Sequence, residues 1–282
     1  MHHLFHLLIL KNFPSHFFLG TKNESSLKPD RLPLVQALMW VILGPTKNNL
    51  MISFIIPAHN EAAGITACIA SIRDAVQPAG RSFEIIVVND ASTDDTATLA
   101  ERSGARVIHV TYRHIAATRN SGARAALGDY LFFIDADTLI NPLYLRSALS
   151  ALDKGAAGGG GVPAFDKPLP PWFYLGYPIF LALILILKQP GGSSLFCTRT
   201  AYKATGGFDE NYYAAEDALM VFALKRQGRF VLATGKVLTS GRKARTYSCW
   251  YFIRTLFTVG VKGPKGLQSR QGLDIWYDSK RE

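Results

Sequence analysis

The sequence predicts an α/β fold with a mainly parallel central sheet flanked by helices, and three observations support this prediction. Short apolar runs of strand composition alternate with helical segments from Met51 onward. The helical segments carry their apolar residues on one side, as in 61–76, where Ile65, Ile69 and Ile72 recur at helical spacing. Polar clusters come directly after the apolar runs, and ligands bind at the ends of strands in sheets of this class.

The first half of the folded region is expected to contain four strands and three helices. Each strand is a short apolar run that is followed by polar or small residues. The expected strands are 52–57, 84–89, 106–110 and 130–134. The expected helices are 61–76, 94–102 and 116–127, and Gly128 ends the last of them. Such alternation gives parallel strands whose carboxyl ends share one edge of the sheet.

The second half of the chain has a less regular pattern. Residues 155–161 are rich in glycine and are expected to be flexible, and a helix is expected over 218–227. Residues 172–187 form the most apolar stretch, which Gly176 and Pro178 interrupt. That stretch is shorter than the roughly twenty residues of a membrane-spanning helix. A buried helix, a helix in the membrane interface and half of a helical hairpin remain as alternatives.

The positive charge of the chain is concentrated near its C-terminus. The 282 residues have a formal net charge of +10, and residues 225–282 alone contain 13 basic and 3 acidic residues, which also gives +10. A basic segment that includes Trp250, Tyr251 and Trp276 suits an anionic membrane surface or a phosphorylated ligand. Nucleic acid is a further alternative for this charge, but it is not the expected partner.

The cysteines indicate a reducing compartment. Cys68, Cys197 and Cys249 stand far apart and lack the spacing of a metal site or the even number of a disulfide framework. They are expected to be free thiols. The expected location is therefore the cytoplasm, with peripheral contact to the cytoplasmic face of the membrane as an option for the basic segment.

Three regions are expected along the chain. Residues 1–50 differ in composition from the rest of the chain and are predicted to be an appendage, either disordered or a non-native start. Their apolar run 32–43 is too short to span a bilayer. Residues 51–245 are predicted to be the folded domain, and 246–282 a basic, aromatic C-terminal segment.

An acidic pair directly after the strand 130–134 is the most informative local feature. Asp135 and Asp137 are one residue apart and come after a run of apolar residues. Burying these carboxylates without partners would be costly, but at the end of a strand they can share a hard cation with a phosphate. The pair therefore predicts an enzyme that handles a nucleotide diphosphate through Mg²⁺ or Mn²⁺.

Five motifs, taken in order, resemble those of the family 2 glycosyltransferases. They are IIPAHNEA (55–62), VVNDASTDDT (87–96), ATRNSGA (117–123), GDYLFFIDAD (128–137), and GGFDE (206–210) followed by Glu216 and Asp217. The resemblance covers about residues 51–245. It implies the GT-A fold, with a Rossmann-like nucleotide-binding half and an acceptor half. It also implies transfer of a sugar from a nucleotide diphosphate sugar to an acceptor, with inversion at the anomeric carbon.

The resemblance assigns roles in binding the donor. Asp137 would hold the cation, and Asp135 would contact the ribose or a metal-bound water. Asp90 would contact the nucleobase, and Arg119 and Asn120 would help to form the donor pocket. The remaining donor contacts would come from Pro57, Ala58 and Glu61, which wall the nucleoside, and from Arg242 and Lys243, two cations at a turn that suit a diphosphate.

The acidic pair Glu216 and Asp217 is the expected source of the catalytic base. An inverting transfer requires a carboxylate that takes the proton from the attacking hydroxyl. Asp217 is the first choice and Glu216 the second. A carboxylate at a helix start is also favoured by the helix dipole alone. If the acceptor is already an anion, such as a lipid phosphate, the pair would position the acceptor instead.

The sequence favours a single transfer over polymer synthesis, because the Gln-x-x-Arg-Trp motif of processive family members is absent. The acceptor is expected to be a sugar or a lipid-linked intermediate.

Two alternatives remain open. One is a non-catalytic nucleotide-sugar-binding or membrane-associated scaffold. The other is a nucleotidyltransferase, although its usual glycine-rich phosphate loop is absent after the first strand, where no glycine occurs before Gly64.

Overall fold

The computed structural model describes residues 50–166, 168–251, 254, 266–270 and 273. Their strands form one eight-stranded sheet in the order β3-β2-β1-β4-β7-β6-β8-β5. The strands are β1 (Ile52–Ala58), β2 (Phe83–Asp90), β3 (Arg106–Val110), β4 (Tyr130–Ile134), β5 (Thr138–Leu139), β6 (Gly158–Phe165), β7 (Ser194–Thr198) and β8 (Phe230–Thr239).

Helices cover both faces of this sheet. They are α1 (Ala62–Val76), α2 (Thr96–Arg102), α3 (Ile115–Ala125), α4 (Pro142–Asp153), α5 (Pro171–Leu187), α6 (Arg199–Thr205), α7 (Glu216–Gln227) and α8 (Arg242–Thr246). Every strand and helix that the sequence predicts between residues 52 and 134, and the helix expected over 218–227, begins and ends within two residues of its expected bounds. The predicted α/β architecture is confirmed.

The first four strands make a parallel half-sheet. β1 lies between β2 and β4, and β2 continues to β3, with every one of these pairs parallel. Because side chains alternate along a strand, β1 contributes to two cores. Phe54 and Ile56 pack under α1 and α4, whereas Ile55 packs on the opposite face with α3 and α7. The polar residues at the carboxyl ends of β1, β2 and β4 consequently meet at one edge.

The second half of the sheet is mixed. β7 runs antiparallel to both β4 and β6, β6 runs parallel to β8, and the short β5 closes the edge antiparallel to β8. This arrangement places β7 directly beside β4, so the loop that precedes β7 lies next to the acidic pair. Asp135 marks that contact, because its backbone N–H donates to the carbonyl of Ser193 at 3.1 Å.

The prediction that residues 155–161 are flexible is wrong for most of that run. Gly158, Gly159, Gly160 and Gly161 are buried within β6. The reason is space: a Cβ at Gly159 would lie 2.3 Å from the carbonyl oxygen of Val231 and 2.4 Å from the ring of Phe196. The glycines are therefore the residues that let three strands approach closely, and their low strand propensity is overridden by this packing.

The apolar stretch 172–187 forms α5, which is a surface helix. Only Ile184 of its seventeen residues is buried, so the alternative of a buried helix is wrong. Within the described ranges, no helix combines the length and the apolar character that crossing a membrane requires.

Two predicted regions lie largely outside the described residues. The N-terminal appendage is described only at Leu50, and the C-terminal segment only at 246–251, 254, 266–270 and 273. The bounds of the three regions therefore stay predictions. Within the described part all three cysteines are free, with Cys68 and Cys197 buried.

Candidate active site

A cleft of about 790 Å³ opens at the carboxyl edge of the parallel strands. Its walls come from the ends of β1, β2 and β4, from the loop before β7 and from the starts of α7 and α8. All of the residues that the sequence singles out line it, except Asn120, which instead binds the segment of the GGFDE motif. They are Pro57, Ala58, Glu61, Asp90, Arg119, Asp135, Asp137, Glu216, Asp217, Arg242 and Lys243. Residues spread over almost two hundred positions are thus brought to one place by the fold.

Asp137 lies close to two other carboxylates of the cleft, those of Asp135 and Glu61. Burial, together with the nearby carboxylates of Asp135 and Glu61, raises the pKa of Asp137 to about 6. The positive charges of Lys243 and Arg242 oppose that rise without cancelling it. A carboxylate whose ionised form is disfavoured in this way carries negative charge that a bound cation would compensate.

Arg242 is held close to this acidic group. Its guanidinium pairs with Glu61 in bidentate fashion, with Nη2–Oε1 at 3.1 Å and Nη1–Oε2 at 3.2 Å. The same Nη2 lies 3.7 Å from Oδ2 of Asp137. Arg242 and Lys243 were expected at a turn, but they occupy the first turn of the short helix α8. They nevertheless lie close to the acidic edge, and their predicted contact to a diphosphate stays a prediction.

The residues at this edge fit a divalent cation that is shared with a ligand. Among the described residues, no cluster of three or more His, Cys, Asp or Glu side chains could hold an ion by itself. Mg²⁺ and Mn²⁺ sites that include substrate phosphates need only one or two protein carboxylates. Burial first, and then the carboxylates of Asp135 and Glu61, raise the pKa of Asp137, and a bound cation would favour its ionised form. Asp137 is therefore the group best placed to hold the ion, with Asp135 as the second.

Arg119 connects the acidic pair of β4 to the acidic pair of α7. Its Nη2 donates to Oδ1 of Asp135 at 2.8 Å, and its Nη1 donates to Oε1 of Glu216 at 2.6 Å. Burial alone would lower the pKa of Arg119, but the carboxylates of Asp135, Glu216 and Asp217 raise it, so the guanidinium is charged. Arg119 is not an ordinary surface arginine, since its side chain is almost fully buried.

Arg119 is expected to stabilise the fold strongly. Removing one partner of a buried ion pair leaves uncompensated charge and costs about 3–5 kcal/mol. Arg119→Met should lower the free energy of unfolding in urea by that amount. The loss should shrink as pH falls, because Glu216, whose pKa is raised by burial, then takes up a proton. Arg124→Met is the matched control on the same helix; its exposed partner Glu210 is 3.9 Å away, and a cost below about 1 kcal/mol is expected. Equal losses for the two variants would contradict a structural role for the pair.

Asn120 fixes the segment that carries the GGFDE motif. Its Nδ2 donates to the carbonyl of Phe208 and to Oε1 of Glu210, both at 2.8 Å. Its Oδ1 accepts from the backbone N–H of Phe208 at 2.9 Å. The ATRN and GGFDE motifs, almost ninety residues apart, are thus one structural unit beside the acidic pair of α7.

Asp90 has hydrogen-bond partners within the protein. Its Oδ1 accepts from the backbone N–H of Arg113 at 2.8 Å. Its Oδ2 accepts from the backbone N–H of His114 at 3.0 Å and from Oγ1 of Thr118 at 2.8 Å. Asp90 therefore fixes the turn that leads into α3 and lines the cleft at the same time. The predicted contact to a nucleobase is compatible with this geometry and stays a prediction.

The acidic pair Glu216 and Asp217 begins α7. Ala215 precedes them in the left-handed region with φ 62°, which turns the first residues of the helix into the cleft. Burial raises the pKa of Glu216, and the adjacent Arg119 limits that rise. Asp217 packs against the loop before β7, where a Cβ on Gly192 would lie 2.6 Å from Oδ2 of Asp217. Arg119 thus fixes the position of the Glu216 carboxylate, whereas close packing against Gly192 restricts the position of the Asp217 carboxylate.

The model for glycosyl transferase family 2 matches residues 53–204, which is more than half of the chain. The chain belongs to glycosyl transferase family 2. This result confirms the resemblance carried by the five motifs. The matched region includes the four strands of the parallel half-sheet, the acidic pair of β4 and the antiparallel β7.

Curated relatives of this family 2 chain match over shorter stretches. The putative glycosyltransferase EpsH of Bacillus subtilis strain 168 is 33% identical over 103 residues, which cover 35% of this chain and 29% of EpsH. The uncharacterized glycosyltransferase YibD of Escherichia coli strain K12 is 32% identical over 104 residues, which cover 35% of this chain and 29% of YibD. The chain thus matches less than a third of the length of these relatives.

Solved structures share the fold of this family 2 member. The mannosyltransferase PcManGT from Pyrobaculum calidifontis, in complex with GDP-Man and Mn²⁺, gives a TM-score of 0.59 at 20% identity, covering 84% of this chain and 74% of that one. S. aureus TarS 1-349 in complex with UDP-GlcNAc gives 0.56 at 20% identity, covering 76% and 67%. The fold is therefore GT-A, as expected.

Several residues of the family 2 cleft carried no signal in the sequence. Arg113, His114, Gly191 and Gly192 line the cleft but lie in segments without periodicity or an interpretable motif. Backbone strain marks the same region. Non-glycine residues with positive φ occur beside the cleft residues, at Asn60, Ala91, Arg113 and Ala215. Strained backbone conformations are common at functional sites, but no residue type in the sequence predicts them.

Proposed function

We propose that this protein is a glycosyltransferase that moves one sugar from a nucleoside diphosphate sugar to an acceptor, with inversion and with Mg²⁺ or Mn²⁺. One observation carries the proposal: a single cleft brings together the acidic pair Asp135 and Asp137 and the pair Glu216 and Asp217, and the buried Arg119 links Asp135 to Glu216. A donor diphosphate and a base can thus face each other across one cavity.

The donor would bind along the carboxyl edge of β1, β2 and β4. Pro57, Ala58 and Glu61 would wall the nucleoside, and Asp90 would meet the base. Arg242 and Lys243 would contact the diphosphate, since guanidinium and ammonium groups suit phosphate oxygens. Asp137 would hold the cation and Asp135, with one oxygen taken by Arg119, would offer its other oxygen to the ribose or to a metal-bound water. When bound, the cation supplies Lewis-acid stabilisation of the departing nucleoside diphosphate.

Asp217 would take the proton from the attacking hydroxyl. Of the two acidic residues of α7, Glu216 is committed to Arg119, which leaves Asp217 as the carboxylate next to the open part of the cleft. For an anionic acceptor such as a lipid phosphate no proton needs to be removed, and Asp217 would then position the acceptor. The absence of a processive motif favours a single transfer.

The acceptor is proposed to be a lipid-linked intermediate, handled at the cytoplasmic face of a membrane. The surface helix α5 supports this proposal because it contributes Phe180 to the cleft wall while its outer side is apolar. A sugar acceptor without a lipid is the alternative. A transfer assay with both acceptor types decides between the two.

A thermal-shift panel tests the donor half of the proposal. UDP-, GDP- and dTDP-sugars are tested with and without Mn²⁺, beginning with UDP-GlcNAc and GDP-Man, the ligands of the two similar structures. A donor at a hundredfold excess over its Kd should stabilise the protein by about 2.7 kcal/mol, and only with the metal present. Hydrolysis of the bound donor would exclude a non-catalytic scaffold. No shift with any donor would contradict the proposal.

Gly192 is expected to control the position of the base. In Gly192→Ala the new Cβ would collide with Oδ2 of Asp217 at 2.6 Å, so the carboxylate must move. Because misplacement by about 1 Å can cost on the order of a hundredfold in rate, we expect a comparable fall in kcat with unchanged donor binding. Gly191→Ala is the control, since nothing lies within 4 Å of its Cβ. Equal rates for the two variants would argue against Asp217 as the base.

A further inference from the structure

The outer side of α5 is an apolar surface without a partner among the described residues. The helix PWFYLGYPIFLALILIL contains no charged residue. Leu175, Ile179 and Ile186 are 83%, 66% and 76% exposed, and their spacing of four and seven residues puts them on one stripe. A helix on the surface of a soluble domain normally carries polar residues on this stripe. Eight of the fourteen large hydrophobic side chains that are exposed in the described residues belong to α5.

The inner side of α5 holds the helix flat against the domain. The ring of Phe173 stacks on Tyr177 and lies 5.1 Å from the ring of Phe165 on β6. The hydroxyl of Tyr177 donates to the carbonyl of Pro163 at 2.9 Å. Ile184 is buried near the other end. Contacts along the length of the helix therefore present its apolar side, rather than its tip, to the surroundings.

Cationic and aromatic groups border this surface. Lys188 ends the helix in the left-handed region, and Nζ of Lys225 donates to the carbonyl of Leu187 at 2.8 Å. The same Nζ lies 5.5 Å from the ring centre of Phe222, which is itself exposed. Trp172 and Tyr174 lie at the opposite end. Lysines and aromatic rings at the border of an apolar surface suit the membrane interface, where Trp and Tyr rings lie at the headgroup level and lysines reach the headgroups.

We propose that this surface, formed by the exposed side chains of α5 together with Phe222, Lys188 and Lys225, docks on a lipid bilayer that contains anionic lipids. The apolar stripe would enter the boundary between headgroups and acyl chains. The two lysines would pair with anionic headgroups, which is the charge complementarity that selects a bilayer over an uncharged apolar partner.

The cleft and the docking surface share one element. Phe180 of α5 and Phe165, on which α5 packs, both line the cleft. A lipid-linked acceptor embedded in the docked bilayer would therefore reach the cleft along α5. This consequence rests on the proposed function, whereas the docking itself does not.

Vesicle flotation with the full chain tests the docking. The protein is mixed with vesicles of phosphatidylcholine alone or with added phosphatidylglycerol, in the absence of donor and metal. Binding is expected, and it should be stronger with phosphatidylglycerol. Leu175→Glu with Ile179→Glu should weaken binding roughly tenfold for each replaced side chain. Lys188→Ala with Lys225→Ala should remove only the preference for phosphatidylglycerol.

Leu127→Glu with Leu143→Glu is the matched control, because these leucines are 73% and 51% exposed on other parts of the surface. This control should float like the wild type. Absence of binding by the wild type, or equal binding by the two glutamate pairs, would overturn the proposal. The proposal would also be overturned if light scattering showed a wild-type dimer that does not bind vesicles and that the α5 variant converts to monomers. The exposed side of α5 would then be an interface between two copies of the chain.

The thermal shift given by a donor separates this proposal from the proposed function. The α5 variant should keep the donor-dependent shift of the wild type, because its substitutions lie on the outer face. Vesicle binding without any thermal shift from a donor would contradict the proposed function alone. A thermal shift from a donor without vesicle binding would contradict the proposed docking surface alone.

Discussion

Asp137→Asn is expected to lower the transfer rate about a thousandfold and to remove the Mn²⁺-dependent stabilisation by the donor. Asp137 is the half-buried carboxylate at the acidic edge that is best placed to hold the ion. Lewis-acid stabilisation of a departing group is worth several kcal/mol, and each 1.36 kcal/mol corresponds to a factor of ten in rate. The rate is measured with saturating donor, and the stabilisation is measured by thermal shift. A variant that keeps both would show that the ion is held elsewhere.

The raised pKa of Asp137 gives this edge a distinct pH dependence. The folded-state value of about 6 lies above the ordinary value of 3.8, so folding favours the protonated form. This carboxylate therefore destabilises the unliganded protein increasingly as pH rises from about 4 to above 6. At pH 8, Asp137→Asn should raise the free energy of unfolding by about 1 kcal/mol, a typical gain for a strained functional group that is neutralised.

Metal-dependent donor binding should show the opposite trend. A cation binds the ionised carboxylate and competes with the proton, so the Mn²⁺-dependent thermal shift should weaken as pH falls below 6. Measurements from pH 5 to pH 8 with constant donor and metal concentrations test this trend. A shift that does not change across this range would contradict Asp137 as the ligand.

Asp217→Asn is expected to lower kcat by about 10²–10⁴-fold with a neutral hydroxyl acceptor, the usual contribution of general base catalysis. Donor binding should be unchanged, because Asp217 belongs to α7 and not to the edge that carries Asp137. Asp74→Asn provides the control, since Asp74 is exposed on α1 and does not line the cleft. If the loss appears in KM for the acceptor and kcat is retained, Asp217 positions an anionic acceptor. Full activity of Asp217→Asn would contradict both proposed roles of Asp217.

The parallel half of the fold could be predicted from the sequence because its signals are local. The apolar runs at 52–57 and 130–134 and the one-sided pattern of 61–76 reflect the alternation of strand side chains and the pitch of a helix. The positions of Asp90, Asp135 and Asp137 could be predicted in turn, since parallel strands end at a common edge. Glu216 and Asp217 could be predicted as site residues from the family motifs rather than from strand or helix patterns.

The remaining features depend on contacts between distant parts of the chain. Nothing local shows that Arg119 pairs with Glu216, 97 residues away, or that Gly192 packs against Asp217. The glycine-rich residues 155–161 mislead for a physical reason. Their composition predicts flexibility when they are considered alone, but the close approach of β7 and β8 to β6 requires residues without side chains. The assignment of α5 to the surface likewise depends on what the rest of the fold leaves uncovered.

Crystals of the protein with Mn²⁺ and the donor nucleotide chosen by thermal shift offer the most direct measurement. The map of anomalous scattering from manganese locates the ion without reference to any assumed role. We expect one peak between the carboxylate of Asp137 and the diphosphate, with Arg242 and Lys243 beside the phosphates. A bound nucleotide whose diphosphate lies away from Asp137, with no manganese between them, would contradict the proposed role of Asp137 and the donor site built around it.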